Sequence, residues 1–306
     1  MKINVILSTR NRAASLDRTL SGFTNINTQL ISWKIIVVDN GSDDRTPQIL
    51  QKYCELLPLT ILEEKRPGKN LALNKALRIV DSEWIVFTDD DIIPDQMWLQ
   101  ELMNATSRWP QHSIFGGTIT PLMPPNTPQW IEDIDENTKS IAFAKYQHSV
   151  EEGPIEFTPF GANLAIRSDI MAKFQYNENL GPKQNKSNSE YIMGGETDLL
   201  QRLKNQQFEF IYVPKAKVQH VIREDQLNFQ WLCRRYYLAG RGYAHYQKLT
   251  CPFIFGVPYF IWIQRVTLSL RYFLHVFHPK AKKFPIAKQL FWCKGALSEY
   301  LKKRRS

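Results

Sequence analysis

Over the first hundred residues, short β-branched and aliphatic runs alternate with stretches whose apolar positions recur at helical spacing. Ile3–Ser8, Lys34–Asp39, Leu59–Leu62 and Trp84–Thr88 read as strands. Helical periodicity is centred near Ala13–Phe23, Thr46–Tyr53, Lys69–Val80 and Asp95–Trp109. Such regular alternation predicts an α/β fold, a doubly wound and mostly parallel sheet with helices on both faces. In a sheet of that kind the ligand site lies beyond the carboxyl ends of the strands, so chemistry is expected just after each strand. The pattern weakens from Pro121 to about Gly153, where prolines crowd the first part, and this stretch reads as a loop or flap. Gly181–Ser189 is also irregular and reads as a mobile loop, whereas Val213–His220 reads as a strand ending in histidine.

Composition refines the picture in two places. A chain of 306 residues with 43% hydrophobic content can bury a large core. The four cysteines, Cys54, Cys233, Cys251 and Cys293, lack metal or disulfide spacing, so a reducing compartment is expected. The apolar start is too short for a signal peptide and runs into Arg10 and Arg12, which places the chain's start in the cytoplasm by expectation. Net charge is +9 but unevenly spread: Trp231–Ser306 holds 15 lysines and arginines against the single acid Glu299, leaving the first 230 residues net negative. An acidic part suited to cations and a basic part facing something anionic follow from that asymmetry.

The strand ends carry the unusual residues. Strand one runs into Ser8-Thr9-Arg10-Asn11-Arg12, and strand two into Asp39-Asn40-Gly41-Ser42. A carboxylate there can accept hydrogen bonds from a nucleobase or ribose, or can form an Asx turn. Strand four ends in Asp89-Asp90-Asp91. Three adjacent carboxylates after an apolar strand repel one another unless a cation or hydrogen-bond donors neutralise them, which points to Mg²⁺ or Mn²⁺ bridging to a diphosphate. A helix N-terminus would account for one such acid. Neither GxGxxG nor GxxxxGK[ST] occurs, which argues against a dinucleotide oxidoreductase and a P-loop NTPase.

Taken with their spacing, Val5–Arg12, Val37–Ser42 and Asp89–Asp91 resemble family 2 glycosyltransferases of the inverting GT-A type. The resemblance covers roughly Lys2–Gly242, and Gly68-Lys69-Asn70, Phe160–Arg167 and Gly194–Arg202 fit the same order. It implies Asp39 at the nucleobase, commonly uracil, Asp89 on the ribose side, and Asp91 at the metal. Thr9, Arg10, Lys69 and Asp90 would join the donor site, and His220 is a candidate third contact to the metal or the diphosphate. The family often carries Gly-Glu-Asp where this chain has Gly194-Gly195-Glu196, which leaves Glu196 as the expected catalytic base and Asp198 as the fallback. Asn163, Asp198, Arg234 and Arg235 are expected near acceptor or diphosphate, although the arginines equally fit the flank of an aromatic stripe.

The implied organisation is a GT-A domain over 1–242, with a nucleotide-binding half about 1–120 and an acceptor half about 121–242, then a basic amphipathic helical region over 243–306. Phe253–Phe277 is apolar but interrupted by Pro258, Arg265 and Arg271, so a membrane span is disfavoured. On a helix, Gln264, Arg271, His275 and His278 cluster opposite Ile263, Val266, Leu270, Phe273 and Phe277. That segment reads either as an interfacial helix, attracted to anionic lipid through Lys280, Lys282, Lys283 and the terminal basic run, or as a cap packed on the domain. The expected partners are a nucleotide diphosphate sugar, with uridine diphosphate favoured, and a glycan or lipid-linked acceptor at the inner face of the cell membrane. Nucleic acid is not expected. The rival readings are a nucleotidylyltransferase, which would want a glycine-rich loop after strand one, and a noncatalytic nucleic-acid binder using the basic tail.

Overall fold

The computed structural model describes residues 2–29, 31–182, 191–246 and 249–305; most of the expected loop Gly181–Ser189 lies outside them. Elements run β1 (Lys2–Thr9), α1 (Ala13–Phe23), β2 (Ser32–Asp39), α2 (Thr46–Cys54), β3 (Leu59–Glu63), α3 (Lys69–Leu77) and β4 (Trp84–Thr88). Then come β5 (Ile92–Pro94), α4 (Trp98–Arg108), β6 (Ile114–Leu122), α5 (Gln129–Glu132), α6 (Glu136–Phe143), β7 (Gly153–Ile155), β8 (Asn163–Arg167) and α7 (Ser168–Met171). The chain continues with α8 (Gly195–Asn205), β9 (Phe210–Val221), α9 (Phe229–Tyr246), β10 (Phe253–Ile254), β11 (Val257–Pro258), α10 (Tyr259–Leu274) and α11 (Lys280–Arg305).

Two compact units result. The first comprises 1–122, 144–188 and 195–221; the second comprises 123–143, 189–194 and 222–306. Helix α9 passes through position 242 unbroken, and 243–306 belong with 222–242 and with the segment after β6.

The first unit is the α/β part. Its sheet runs β3-β2-β1-β4-β8-β6-β9-β5, with β7 also on β9. The four strands β3, β2, β1 and β4 are parallel, as their helical crossovers require. Antiparallel pairings enter where β8 joins β4 and β6 and where β5 and β7 join β9. Alternate residues of β2 supply opposite faces: Ile35 and Val37 join one apolar cluster with α1, α2 and α4, while Ile36 and Val38 join another with α3, α7 and α8. Burial on both faces explains why the strands are apolar runs rather than alternating ones.

The second unit is helical. A Cβ on Gly240 of α9 would lie 1.9 Å from the Trp292 carbonyl oxygen, and one on Gly295 of α11 would lie 1.9 Å from that of Tyr237. The two helices therefore touch backbone to backbone, which only glycine permits. Arg241 lies beside this crossing, buried, and its Nε and Nη2 donate to Glu299 Oε2 at 3.0 and 2.8 Å. The Gly240-Arg241-Gly242 run is thus a packing and ion-pair device.

Candidate active site

β1 and β2 end in register, Thr9 opposite Asp39. Asp39 Oδ1 accepts from the Ser42 amide at 2.9 Å and its hydroxyl at 2.6 Å, an Asx turn completed by Gly41 at φ +74°. Buried Asn40 fastens the neighbouring loop. Its amide donates to the Glu64 and Arg66 carbonyls at 2.7 and 2.8 Å, and its Oδ1 accepts from the Gly68 amide at 2.8 Å. The end of β2, the loop after β3 and the start of α3 are thereby held as one rim.

The acidic triplet follows β4. The Thr9 hydroxyl donates to Asp90 Oδ2 at 2.7 Å. Arg12 Nη1 lies 2.7 Å from Asp91 Oδ2 and 3.6 Å from Asp90 Oδ1. His220 Nε2 lies 3.3 Å from Asp91 Oδ1. Lys69 Nζ bridges Asp89 Oδ1 at 2.6 Å and Glu196 Oε1 at 3.0 Å. The three carboxylates are thus met by four residues from three distant segments, Thr9 and Arg12 at the end of β1, Lys69 on α3 and His220 on β9, which answers the repulsion their adjacency creates.

Protonation follows the partners. Burial pushes the Asp90 carboxyl up to about 6, against the pull of Arg12 and with help from the Asp91 charge. Asp91 is equally buried yet moves the opposite way, because His220 and Arg12 together outweigh desolvation. Burial alone would lower Lys69, but Asp89 and Glu196 raise it well above its ordinary range, so it stays an ammonium.

Backbone geometry sets these meetings. β5 pairs with β9 so that Ile92 faces His220, and the Val221 amide donates to the Asp91 carbonyl at 2.8 Å. Glu196 sits in the first turn of α8. Its Cγ would be 2.8 Å from any Cβ at position 161, so Gly161 gives the acid its room.

Comparison with known proteins places this geometry. The family model described as glycosyl transferase family 2 matches residues 4–173, more than half of the chain. The chain belongs to that family. Among curated relatives, the glucosyl-dolichyl phosphate glucuronosyltransferase of Haloferax volcanii is 20% identical over 68% of this chain and 65% of its own length. Glycosyltransferase AglE of the same organism is 24% identical over 78% of this chain and 72% of its own. The chain thus spans about two thirds of the first relative. Of solved structures, the Pyrobaculum calidifontis mannosyltransferase PcManGT, in complex with GDP-Man and Mn²⁺, superposes with TM-score 0.59 at 16% identity, covering 98% of this chain and 87% of that one. Staphylococcus aureus TarS 1–349 superposes with TM-score 0.52 at 17% identity, covering 98% and 92%. These likenesses show the GT-A fold.

In this family 2 glycosyltransferase, Thr9, Lys69, Asp89, Asp90, Asp91, Glu196 and His220 gather at the strand ends, with Asp39 beside Thr9. Arg10 carries a buried Nε with no hydrogen-bond partner among the described residues. Four expected residues make none of the contacts just described. Asn163 is fully buried on β8: its amide donates to the Thr118 and Ala216 carbonyls at 3.0 and 2.9 Å, and its oxygen accepts from Trp98 Nε1 at 2.8 Å. With its polar atoms so engaged it is a structural tie rather than an acceptor contact. Asp198 turns along its own helix to Arg202 Nε at 2.9 Å, as an i,i+4 pair does. Arg234 and Arg235 lie on α9 in the second unit; Arg234 is exposed, and Arg235 donates to the Ile141 carbonyl at 3.0 Å. Arg12 is the participant that sequence reasoning missed. The signal was the need of three carboxylates for a cation, combined with a second arginine two residues past Arg10.

The donor set suits a divalent cation. Asp91 offers carboxylate oxygen and His220 an imidazole nitrogen at 3.3 Å from it, ligands that both suit Mn²⁺, while Mg²⁺ would lean on the oxygens. Among the described residues no group of three or more acidic, histidine or cysteine side chains converges as a ready cage. Such an ion would therefore share its shell with diphosphate oxygens and water, the usual arrangement for cations that hold nucleotides.

Proposed function

We propose that this glycosyltransferase takes its sugar from a nucleotide diphosphate donor, in a Mg²⁺- or Mn²⁺-dependent reaction that inverts the anomeric carbon, and passes it to a lipid-linked or polysaccharide acceptor. The observation that carries the reading is the convergence of Asp89–Asp91 with Lys69, His220 and Glu196 at the carboxyl edge of the sheet. Asp39 would receive the nucleobase, Asp89 the ribose side, and Arg10 with its unpartnered Nε would turn to the donor. Asp91 and His220 would hold the cation, which when bound offsets the charge of the departing diphosphate.

Glu196 is the proposed base. The acceptor hydroxyl oxygen bonds to the anomeric carbon as the sugar–phosphate C–O bond breaks, its electron pair leaving with the diphosphate, while the hydroxyl proton passes to the Glu196 carboxylate. Lys69, 3.0 Å away, keeps that carboxylate charged and aimed. The likeness to a glucosyl-dolichyl phosphate glucuronosyltransferase supports a lipid-linked acceptor, and that to a TarS complex with UDP-GlcNAc a uridine donor. The GDP-Man complex of PcManGT makes guanosine the second nucleotide to try. A working place beside the inner face of a membrane fits such an acceptor; no described helix is long and apolar enough to cross a bilayer.

The test is a panel of UDP- and GDP-sugars followed by thermal shift with Mn²⁺ and with chelator. One donor class should raise the melting temperature with metal and not without it, by ligand linkage. A panel in which no nucleotide shifts the transition contradicts the donor assignment.

A further inference from the structure

Eleven of the eighteen large hydrophobic side chains exposed among the described residues fall within 253–277 of the second unit. They form a pattern. On α10, Tyr259, Ile263, Val266, Leu270, Phe273 and Leu274 share one side within about 60° of its centre at 100° per residue. Ile261 and Leu268, which the helix buries in the cluster with Leu290 and Cys293, lie on the opposite side. The helix is therefore apolar on two faces, and only one of them is packed. At its far end Phe277 is 98% exposed.

At its near end stands the β10–β11 hairpin, fastened to α10 by Trp262 Nε1 donating to the Ile254 carbonyl at 3.0 Å. Phe253, Ile254 and Phe255 are exposed there. The turn residues Phe255 and Gly256 have φ +52° and +76°. A two-residue turn with both φ positive ordinarily takes Asn-Gly. Phenylalanine at the first position is disfavoured by its backbone and, 69% exposed, gains little from burial within the chain.

Basic groups flank the stripe at both ends. Arg304 lies 5.9 Å from the Phe255 ring centroid. At the Phe277 end, Lys280 and Lys282 are exposed, with Lys283 and Arg271 nearby in sequence. From Trp231 to the end the only acid is Glu299, buried against Arg241.

We propose that the hairpin tip and the exposed stripe of α10 dock the enzyme onto anionic lipid, with Phe253–Phe255 and the α10 side chains entering the headgroup boundary. The inference extends the membrane-side reading above by naming the surface and the lipid charge. A helix of sixteen residues is about 24 Å long, enough to lie in the interface plane with its apolar side down. Charge selects lipid over a second copy of this chain, since a self-contact would bring Arg271, Lys280 and Lys282 against their own counterparts, whereas anionic headgroups answer them.

Flotation of the full chain with vesicles tests this, using phosphatidylcholine alone and phosphatidylcholine with phosphatidylglycerol at roughly 7:3. The wild type should float with the anionic vesicles and poorly with the neutral ones. Leu270→Glu/Phe273→Glu should cut flotation at least about tenfold with an unchanged melting temperature, because both side chains are already exposed. Lys280→Glu/Lys282→Glu should remove the preference for phosphatidylglycerol. The proposal is overturned if the wild type stays unbound, if the apolar double variant floats like wild type, or if light scattering shows a dimer that this variant dissolves. Flotation needs no substrate, so its failure leaves the donor panel standing, and failure of the panel leaves flotation standing.

Discussion

Three carboxylates stand side by side after β4, whereas the seventy-six residues from Trp231 to Ser306 hold a single acid, Glu299, among fifteen bases. In the first unit the fold brings distant partners to a local excess of negative charge: Arg12, Lys69 and His220 each reach a member of the cluster or its neighbour Glu196. Between Trp231 and Ser306 one arginine, Arg241, pairs with that segment's one acid, and exposed bases sit beside exposed apolar side chains. The difference teaches how to read charge density. A concentrated charge answered from far along the chain marks a pocket built for chemistry, while a dispersed charge beside unpacked apolar groups marks a surface.

The comparison can be broken on either side. The largest effect should come from Glu196→Gln, expected to lower transfer by about 10²–10⁴ while donor affinity holds within about twofold. Steady-state kinetics beside equilibrium binding checks it, and full activity would remove Glu196 from the mechanism. On the second unit, Arg241→Ala leaves Glu299 buried with its main partner gone, and should cost about 3–5 kcal/mol of stability. Arg241→Met/Glu299→Leu should recover most of that in denaturant titrations, since the pair's worth lies largely in avoiding an orphaned charge.

The smallest effect concerns the rim formed by the end of β2, the loop after β3 and the start of α3. The Arg66 guanidinium holds the Glu64 carboxyl down at about 2, below its ordinary 4.5. A depressed carboxylate stabilises the fold fully above its unfolded value, and that contribution is lost as pH falls from about 4.5 towards 2. Glu64→Gln should therefore flatten the acid limb of the stability profile while moving the neutral melting temperature only slightly, since Arg66 is largely exposed and solvent screens the pair.

Local patterns were legible where local forces decide. α1 and β4 match their sequence-derived bounds, because each is a single periodic run between breakers. α4 begins at Trp98 rather than Asp95, since the Asp95 side chain caps a turn by accepting from the Met97 amide. β5 was missed: three residues ending in Pro94 become a strand only because β9 lies alongside. Of the site, the Asp89–Asp91 triplet was readable from residue type and spacing, and Lys69 and Glu196 from the resemblance to the family. The salt bridge of Arg12 and the engagement of Asn163 depend on contacts across scores of residues, which no periodicity encodes. The glycines at 240 and 295 show the same limit, as close helix packing leaves no mark on an amphipathic pattern.

The central claim is that the acidic strand end grips a nucleotide diphosphate through a divalent cation. Calorimetric titration of UDP and GDP into wild type and Asp91→Asn, each with Mn²⁺ and with chelator, tests it most directly. One nucleotide should bind the wild type with metal and weaken at least about tenfold on chelation or substitution. Equal affinity under all four conditions would contradict the account.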